Sequence, residues 1–179
     1  DEGWPKSFYC PAGGPKACVD GVVDDYVCGL DHYVLYFTSD SFTGDLDGLT
    51  GADERCRQAA ESGLFSKDVD VGAALAVVSS SGMGGVDVQD RFQSDVSVWA
   101  HTSAADDPLA EASVTVADLF PDSGSGFRSG SQFLFDEFGD SPPSSTLYWT
   151  GSRPTGVASG DDCDGWTSAA FSDRGTWGS

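Results

Sequence analysis

The run YVLYF at 33–37 constrains the fold of this chain more than any other stretch. Five consecutive aromatic, aliphatic or β-branched residues, with no polar residue alternating between them, suit a strand covered on both faces. Such a strand sits inside a sheet with packing above and below it, so the core is expected on both of its sides. The sequence then supplies Gly44, Gly48 and Gly51 for tight turns, followed by a helical pattern over 52–62. On that helix Ala52, Cys56, Ala59 and Ala60 share one face, which points the cysteine into the core. Thr50 and Asp53 are spaced like a capping box, and Gly63 stands where a C-cap is expected.

Further along, VDVGAALAVV at 69–78 reads as a second core strand, stopped by SSSGMGG. Short β-type pieces follow at 87–99, and ASVTVADLF at 112–120 reads as a strand or a one-turn helix before Pro121. Residues 121–131 and 139–146 are rich in Gly, Ser and Pro and read as loops. One clear helix among many short strands predicts an α+β fold, with no internal repeat. A chain of 179 residues suits one domain, placed at 33–179. Residues 1–32 differ: three of the five cysteines stand there among prolines and glycines. That composition buries little by itself, so the segment reads as an arm tied down by disulfides or by packing. Within it, Trp4 to Cys10 is a short strand candidate, interrupted by Pro5 and ended by Pro11.

The charge balance excludes whole classes of partner. With 29 acidic against 9 basic residues and a net charge of −20, nucleic acid and anionic membrane surfaces repel the chain. No stretch approaches the roughly eighteen apolar residues of a membrane span, so membrane insertion is not expected. Such acid loading suits a salty or calcium-rich exterior, the competing reading being a solubilising surface on a secreted protein. The sequence starts at Asp1 and its single methionine is Met83; removal of a signal peptide would explain this, and so would trimming of the chain. It contains no Asn, hence no Asn-linked glycan acceptor. Cys10, Cys18, Cys28, Cys56 and Cys163 form no CxxC pair, and two histidines are too few for a zinc site with them. Disulfides in an oxidising compartment are the expected use, with one cysteine left over. An extracellular or cell-surface location follows as an expectation.

Two acidic stretches invite a calcium reading. TGDLDGLTGADE at 43–54 has the length of an EF-hand loop, with Asp45, Asp47, Gly48 and Glu54 in register, but Thr43 takes the first ligand position. Its glycines read better as turn formers. Asp161, Asp162 and Asp164 flank Cys163, and close-set carboxylates suit Ca²⁺, with Asp161 and Asp162 as candidate ligands; a solvated acidic loop is the competing reading. Catalysis finds no support: His32 and His101 sit in no metal-binding spacing, and there is no nucleophile elbow or phosphate-cradling loop. An enzyme is not expected. Trp99, Trp149 and Trp166 read as core residues more than as a sugar platform.

FTSDSFTGDLDGLTGADERC at 37–56, VADLF at 116–120, YWTGS at 148–152, DDCDGWTS at 161–168 and GTWGS at 175–179 resemble a bacterial family of secreted domains of unknown function. That family adopts a C-type-lectin-like, endostatin-like fold. The resemblance implies two further cysteines beyond 163, the last on a closing strand that pairs beside the first strand and bonds the helix cysteine. The present sequence stops at Ser179 without them. SFYC at 7–10 has the composition of such a strand, so the resemblance implies that Cys10 bonds Cys56 and that Cys18 or Cys28 bonds Cys163. This closure is open to two forms, within one chain or between chains, and Trp4, Phe8 and Tyr9 then lie at the assembly seam. A bond between Cys56 and Cys163 is the alternative. Exchange between chains would build an open filament. The expected role is structural or adhesive and non-enzymatic, through self-association; carbohydrate recognition, aided by Ca²⁺, is the alternative.

Overall fold

The computed structural model describes residues 9–13, 32–66, 70–82, 85–101, 109–119, 135–141, 148–153, 155–170 and 173–178. It is a mixed α+β structure. Strand β1 is Tyr9–Gly13, β2 is His32–Phe37, β3 is Ser97–His101 and β4 is Leu109–Thr115, and they form one sheet in the order β1-β2-β3-β4. Helix α1 spans Gly48–Ser62, α2 is the single turn Val116–Leu119, and β5 (Tyr148–Trp149) pairs with β6 (Trp177–Gly178) in a second, two-stranded sheet. A last turn, α3, occupies Cys163–Trp166.

β2 is inside the sheet and every one of its residues is buried. Alternation then divides its side chains between two cores. Val34 and Tyr36 join a cluster with Leu46, Ala52, Cys56, Ala60, Phe65, Trp149 and Trp166. Tyr33, Leu35 and Phe37 join the opposite cluster with Val88, Phe92, Val98, Val116 and Leu119. The apolar run at 33–37 is therefore continuous because both faces are covered, and each fully buried side chain contributes about 1.5–3 kcal/mol. β2 pairs antiparallel with β1 and parallel with β3.

Helix α1 begins four residues before the expected start. Its N-cap is Asp47 in the left-handed region (φ 64°), with no side-chain cap bond, and Thr50 lies inside the first turn. The entry is set instead by a tertiary bond, Leu46 N–H to the Trp166 carbonyl at 2.9 Å. Asp53 is not a cap either, because its carboxylate points to a different part of the molecule. Ala52, Cys56 and Ala60 are the buried positions. Gly63 is the C-cap, but in extended geometry (φ −70°). Its lack of a side chain matters for space: a Cβ there would press on the Glu137 carbonyl at 3.1 Å and on the Phe65 ring at 3.2 Å.

The expected strand at 69–78 is absent among the described residues of that segment. A 3₁₀ turn at Val71–Ala73 opens it, and Ala74, Ala76 and Val78 then enter the β2–α1 core as irregular extended chain. Its backbone groups are satisfied by side chains in place of a neighbouring strand. Ala76 N–H donates to Asp53 Oδ1 at 2.8 Å, and the Ala76 carbonyl accepts from Arg91 Nη1 at 2.6 Å. Arg91, on the 3₁₀ turn Val88–Arg91, closes the network by donating to both Asp53 oxygens at 2.6 Å.

Candidate functional site

Two of the sequence candidates fall in one neighbourhood, where β2, α1 and the turn around Cys163 meet, and the cysteine arm pairs with the same strand at the sheet edge. β1 lies at the sheet edge against β2, with Tyr9 opposite Phe37, Cys10 opposite Tyr36 and Pro11 opposite Leu35. Pro11 does not end the strand as expected; it sits within an edge strand, where a missing N–H is tolerated. Trp4, Phe8, Cys18 and Cys28 lie outside the described residues. The Tyr36 hydroxyl, on the residue opposite Cys10, donates to the Cys56 carbonyl at 2.7 Å. Burial pushes the Tyr36 phenol well above its ordinary range, with the Glu137 carboxylate adding to the effect.

Cys56 is disulfide-bonded, whereas Cys163 is a buried free thiol. The alternative pairing of Cys56 with Cys163 is thereby overturned, and so is the expected bond of Cys163 to Cys18 or Cys28 within the chain. Since the chain has five cysteines, the partner of Cys56 is Cys10, Cys18 or Cys28.

Cys163 starts a turn of unusual backbone. Cys163 (φ 51°), Asp164 (φ 58°), Gly165 (φ 69°) and Trp166 (φ 67°) all have positive φ, so four successive residues wind left-handed. Gly adopts this freely and Asp tolerates it, but Cys and Trp do so at a cost on the order of 1–2 kcal/mol each. Tertiary bonds hold the strained turn. The Trp166 indole is fully buried, donates to the Ser79 carbonyl at 2.7 Å, and meets Trp149 edge-on at 5.8 Å between ring centroids. Cys163 N–H donates to the Arg174 carbonyl at 2.7 Å. The thiol itself packs where two glycines leave room, since a Cβ on Gly44 would overlap its sulfur and one on Gly175 would overlap the Trp149 ring. A cavity of about 150 Å³ lies beside it, lined by Thr43, Gly44, Ser168, Ala169, Ala170 and Asp173. Burial pushes the Cys163 thiol up to about 11, with Asp162 and Asp173 adding to the shift.

The acidic candidates flank this turn. Asp162 is buried, and its carboxylate accepts from Ser81 N–H at 2.5 Å, Ser81 Oγ at 3.1 Å and Gly165 N–H at 3.1 Å. Burial alone would raise this carboxyl, but the bonds from Ser81, Gly165 and Ser80 outweigh it and hold the group below its ordinary value. Asp161 joins the network through its carbonyl, which accepts from Thr176 N–H at 2.7 Å. Asp162 therefore braces the left-handed turn with oxygens that a cation would need. In the 43–54 stretch, Glu54 is engaged with Arg57 on the helix surface. No group of three or more His, Cys, Asp or Glu side chains among the described residues is placed to hold a metal ion.

Comparison with known protein families, with curated proteins and with solved structures finds no match.

Of the aromatic candidates, Trp149 and Trp166 are core and Trp99 is half-buried, stacked on His32 at 4.6 Å. Trp177 stands opposite Trp149 in the β5–β6 pair. Sequence reading missed the Asp53–Arg91 network and the Ser39–Glu137 contact, in which Ser39 donates from its N–H at 2.8 Å and its hydroxyl at 2.6 Å. The partners are 38 and 98 residues apart, and no local spacing signals either pair. No helix among the described residues is long and apolar enough to cross a membrane.

Proposed function

We propose that this protein is a secreted, non-enzymatic module of C-type-lectin-like fold with a structural or adhesive role, whose N-terminal arm completes its own sheet or, by exchange, that of a neighbouring copy. The observation that carries this reading is the seat of the arm. β1 runs along five residues of β2, the strand on which both cores rest, and Cys56 on α1 is disulfide-bonded, a bond that a cysteine of the same arm would make. A segment that covers a core strand and is covalently fixed to the core helix is part of the fold, and the same contacts made by a second chain would link copies into a filament. Cys10 is the partner assigned to Cys56, because its register partner Tyr36 touches Cys56. The α+β sheet and the sequence likeness at 37–56 and 161–168 support the fold assignment. The carbohydrate-binding alternative draws no support from Trp149 and Trp166, which are buried, or from Asp162, which is spent on backbone N–H groups.

The test is non-reducing peptide mapping combined with light scattering on chains refolded as a mixture of isotopically light and heavy protein. The expected result is a Cys10–Cys56 peptide, joined within one isotope in monomers and across isotopes in any assembled fraction. A map linking Cys56 to Cys163 would sink the proposal. So would a chain lacking residues 1–32 that folds and assembles as before.

A further inference from the structure

Glu137 is a carboxyl group placed where a negative charge is poorly accommodated. It is 3% exposed, in a turn at 135–140 that docks on two elements at once. Phe37 N–H donates to the Phe135 carbonyl at 3.1 Å on the β2 side, and Leu64 N–H donates to the Glu137 carbonyl at 2.9 Å just past the end of α1. A helix C-terminus carries partial negative charge, which disfavours an anion nearby. The titratable groups facing Glu137 are Asp136, in the same turn and also buried, and the Tyr36 phenol on β2. The Asp136 carboxylate is occupied by the N–H groups of Phe138 and Asp140, each at 2.9 Å. Glu137 has no ion pair with any Lys, Arg or His among the described residues.

Its hydrogen bonds suit the neutral acid as well as the anion. Oε2 accepts from Ser39 N–H at 2.8 Å, and Oε1 lies 2.6 Å from Ser39 Oγ. A serine hydroxyl donates or accepts by rotating its hydrogen. When a proton from solvent sits on Oε1, that O–H donates to Ser39 Oγ while Oε2 still accepts the N–H. Both contacts survive, and the buried charge is gone.

We propose that Glu137 and Ser39 form a proton-dependent clasp, firm while the carboxyl holds its proton and weakened as the proton leaves, so that closure of the 38–42 loop onto the 135–140 turn responds to pH. Burial raises the Glu137 carboxyl, the bonds from Ser39 offset part of that rise, and Asp136 adds to it. Because the folded value is above the unfolded one, the stabilisation is fully present below the ordinary glutamate value of about 4.3 and is lost as pH rises through the folded value. Asp162 acts oppositely and in a separate window, since its folded value is depressed: its contribution is present above the ordinary aspartate value and lost as pH falls through the folded one.

The experiment uses the full chain. Carboxyl-carbon NMR follows the titration of Glu137, amide exchange follows Ser39 N–H, and denaturant unfolding is measured from about pH 4 to about pH 8, for the native protein and for Glu137→Gln. Glutamine reproduces the neutral acid, its oxygen accepting the N–H and its NH₂ donating to Ser39 Oγ. The expected result is a Glu137 midpoint above that of an ordinary glutamate and a native folding constant that falls by up to about tenfold per pH unit between the ordinary value and that midpoint, then levels off. Ser39 exchange should accelerate over the same range after correction for intrinsic base catalysis, and E137Q should lack this Glu137-dependent slope. A Glu137 midpoint at or below the ordinary value overturns the proposal, as do parallel pH profiles for the two proteins or an E137Q chain that is less stable at neutral pH.

Discussion

Replacing Asp53 by alanine is the most direct probe of how this domain holds its irregular segment. The Arg91 side chain is 8% exposed and that of Asp53 is 24% exposed, so the pair is largely withdrawn from water. Asp53→Ala removes both acceptors of Arg91 Nη2 and the acceptor of Ala76 N–H. A guanidinium stripped of its only carboxylate at such burial costs about 3–5 kcal/mol, and the orphaned N–H falls within that range. This is a large share of the roughly 5–15 kcal/mol that holds a typical domain together. Asp53→Asn keeps one acceptor and the side-chain shape, so a smaller loss is expected. Arg91→Met in the Asp53→Ala background removes the stranded charge and should recover part of the loss, even though the Ala76 carbonyl remains unpaired. Guanidinium unfolding of these four proteins and of Arg91→Met alone, under non-reducing conditions, measures each step, and the native, Asp53→Ala, Arg91→Met and double-variant set gives the coupling energy directly. If Asp53→Ala costs less than about 1 kcal/mol, the pair behaves as a surface salt bridge and the reasoning fails.

The packing around Cys163 gives two more tests. Gly44→Ala places a methyl on the thiol sulfur and should cost about 1–3 kcal/mol, read as a lowered midpoint, and adding Cys163→Ala should restore only part of it, because the Cys163 Cβ at 2.7 Å and the Ser168 carbonyl at 3.0 Å still crowd the methyl. With its thiol raised to about 11, Cys163 is a thiolate in only about one molecule in a thousand at pH 8. Iodoacetamide should therefore modify it slowly in the folded protein and rapidly once unfolded. Fast labelling of the folded chain refutes the burial argument.

The residues at 33–37 declared a doubly covered strand because five apolar side chains in a row have no other economical place in a folded chain, and the helix over 52–62 was legible from its small apolar face. The true start of α1 was not legible, since it depends on Leu46 reaching the Trp166 carbonyl 120 residues away. The segment at 69–78 illustrates the same limit. Its apolar content correctly placed it in the core, but whether it became a strand depended on where its backbone hydrogen bonds went, and Asp53 and Arg91 took them. At the acidic turn, sequence reading saw carboxylates near a cysteine; folding spent Asp162 on the N–H groups of Ser81 and Gly165.

The amino-acid sequence by itself thus determined much of the composition of the core, the principal strand and helix, the strongly acidic charge and the cysteine-bearing N-terminal segment. Tertiary structure alone decided which cysteine stayed free, which carboxylates became braces, and that the arm lies along β2. The physical reason is range. Burial preference and helical periodicity are properties of neighbouring residues, whereas hydrogen-bond satisfaction, disulfide pairing and the environment of a carboxyl group depend on groups that only folding brings together.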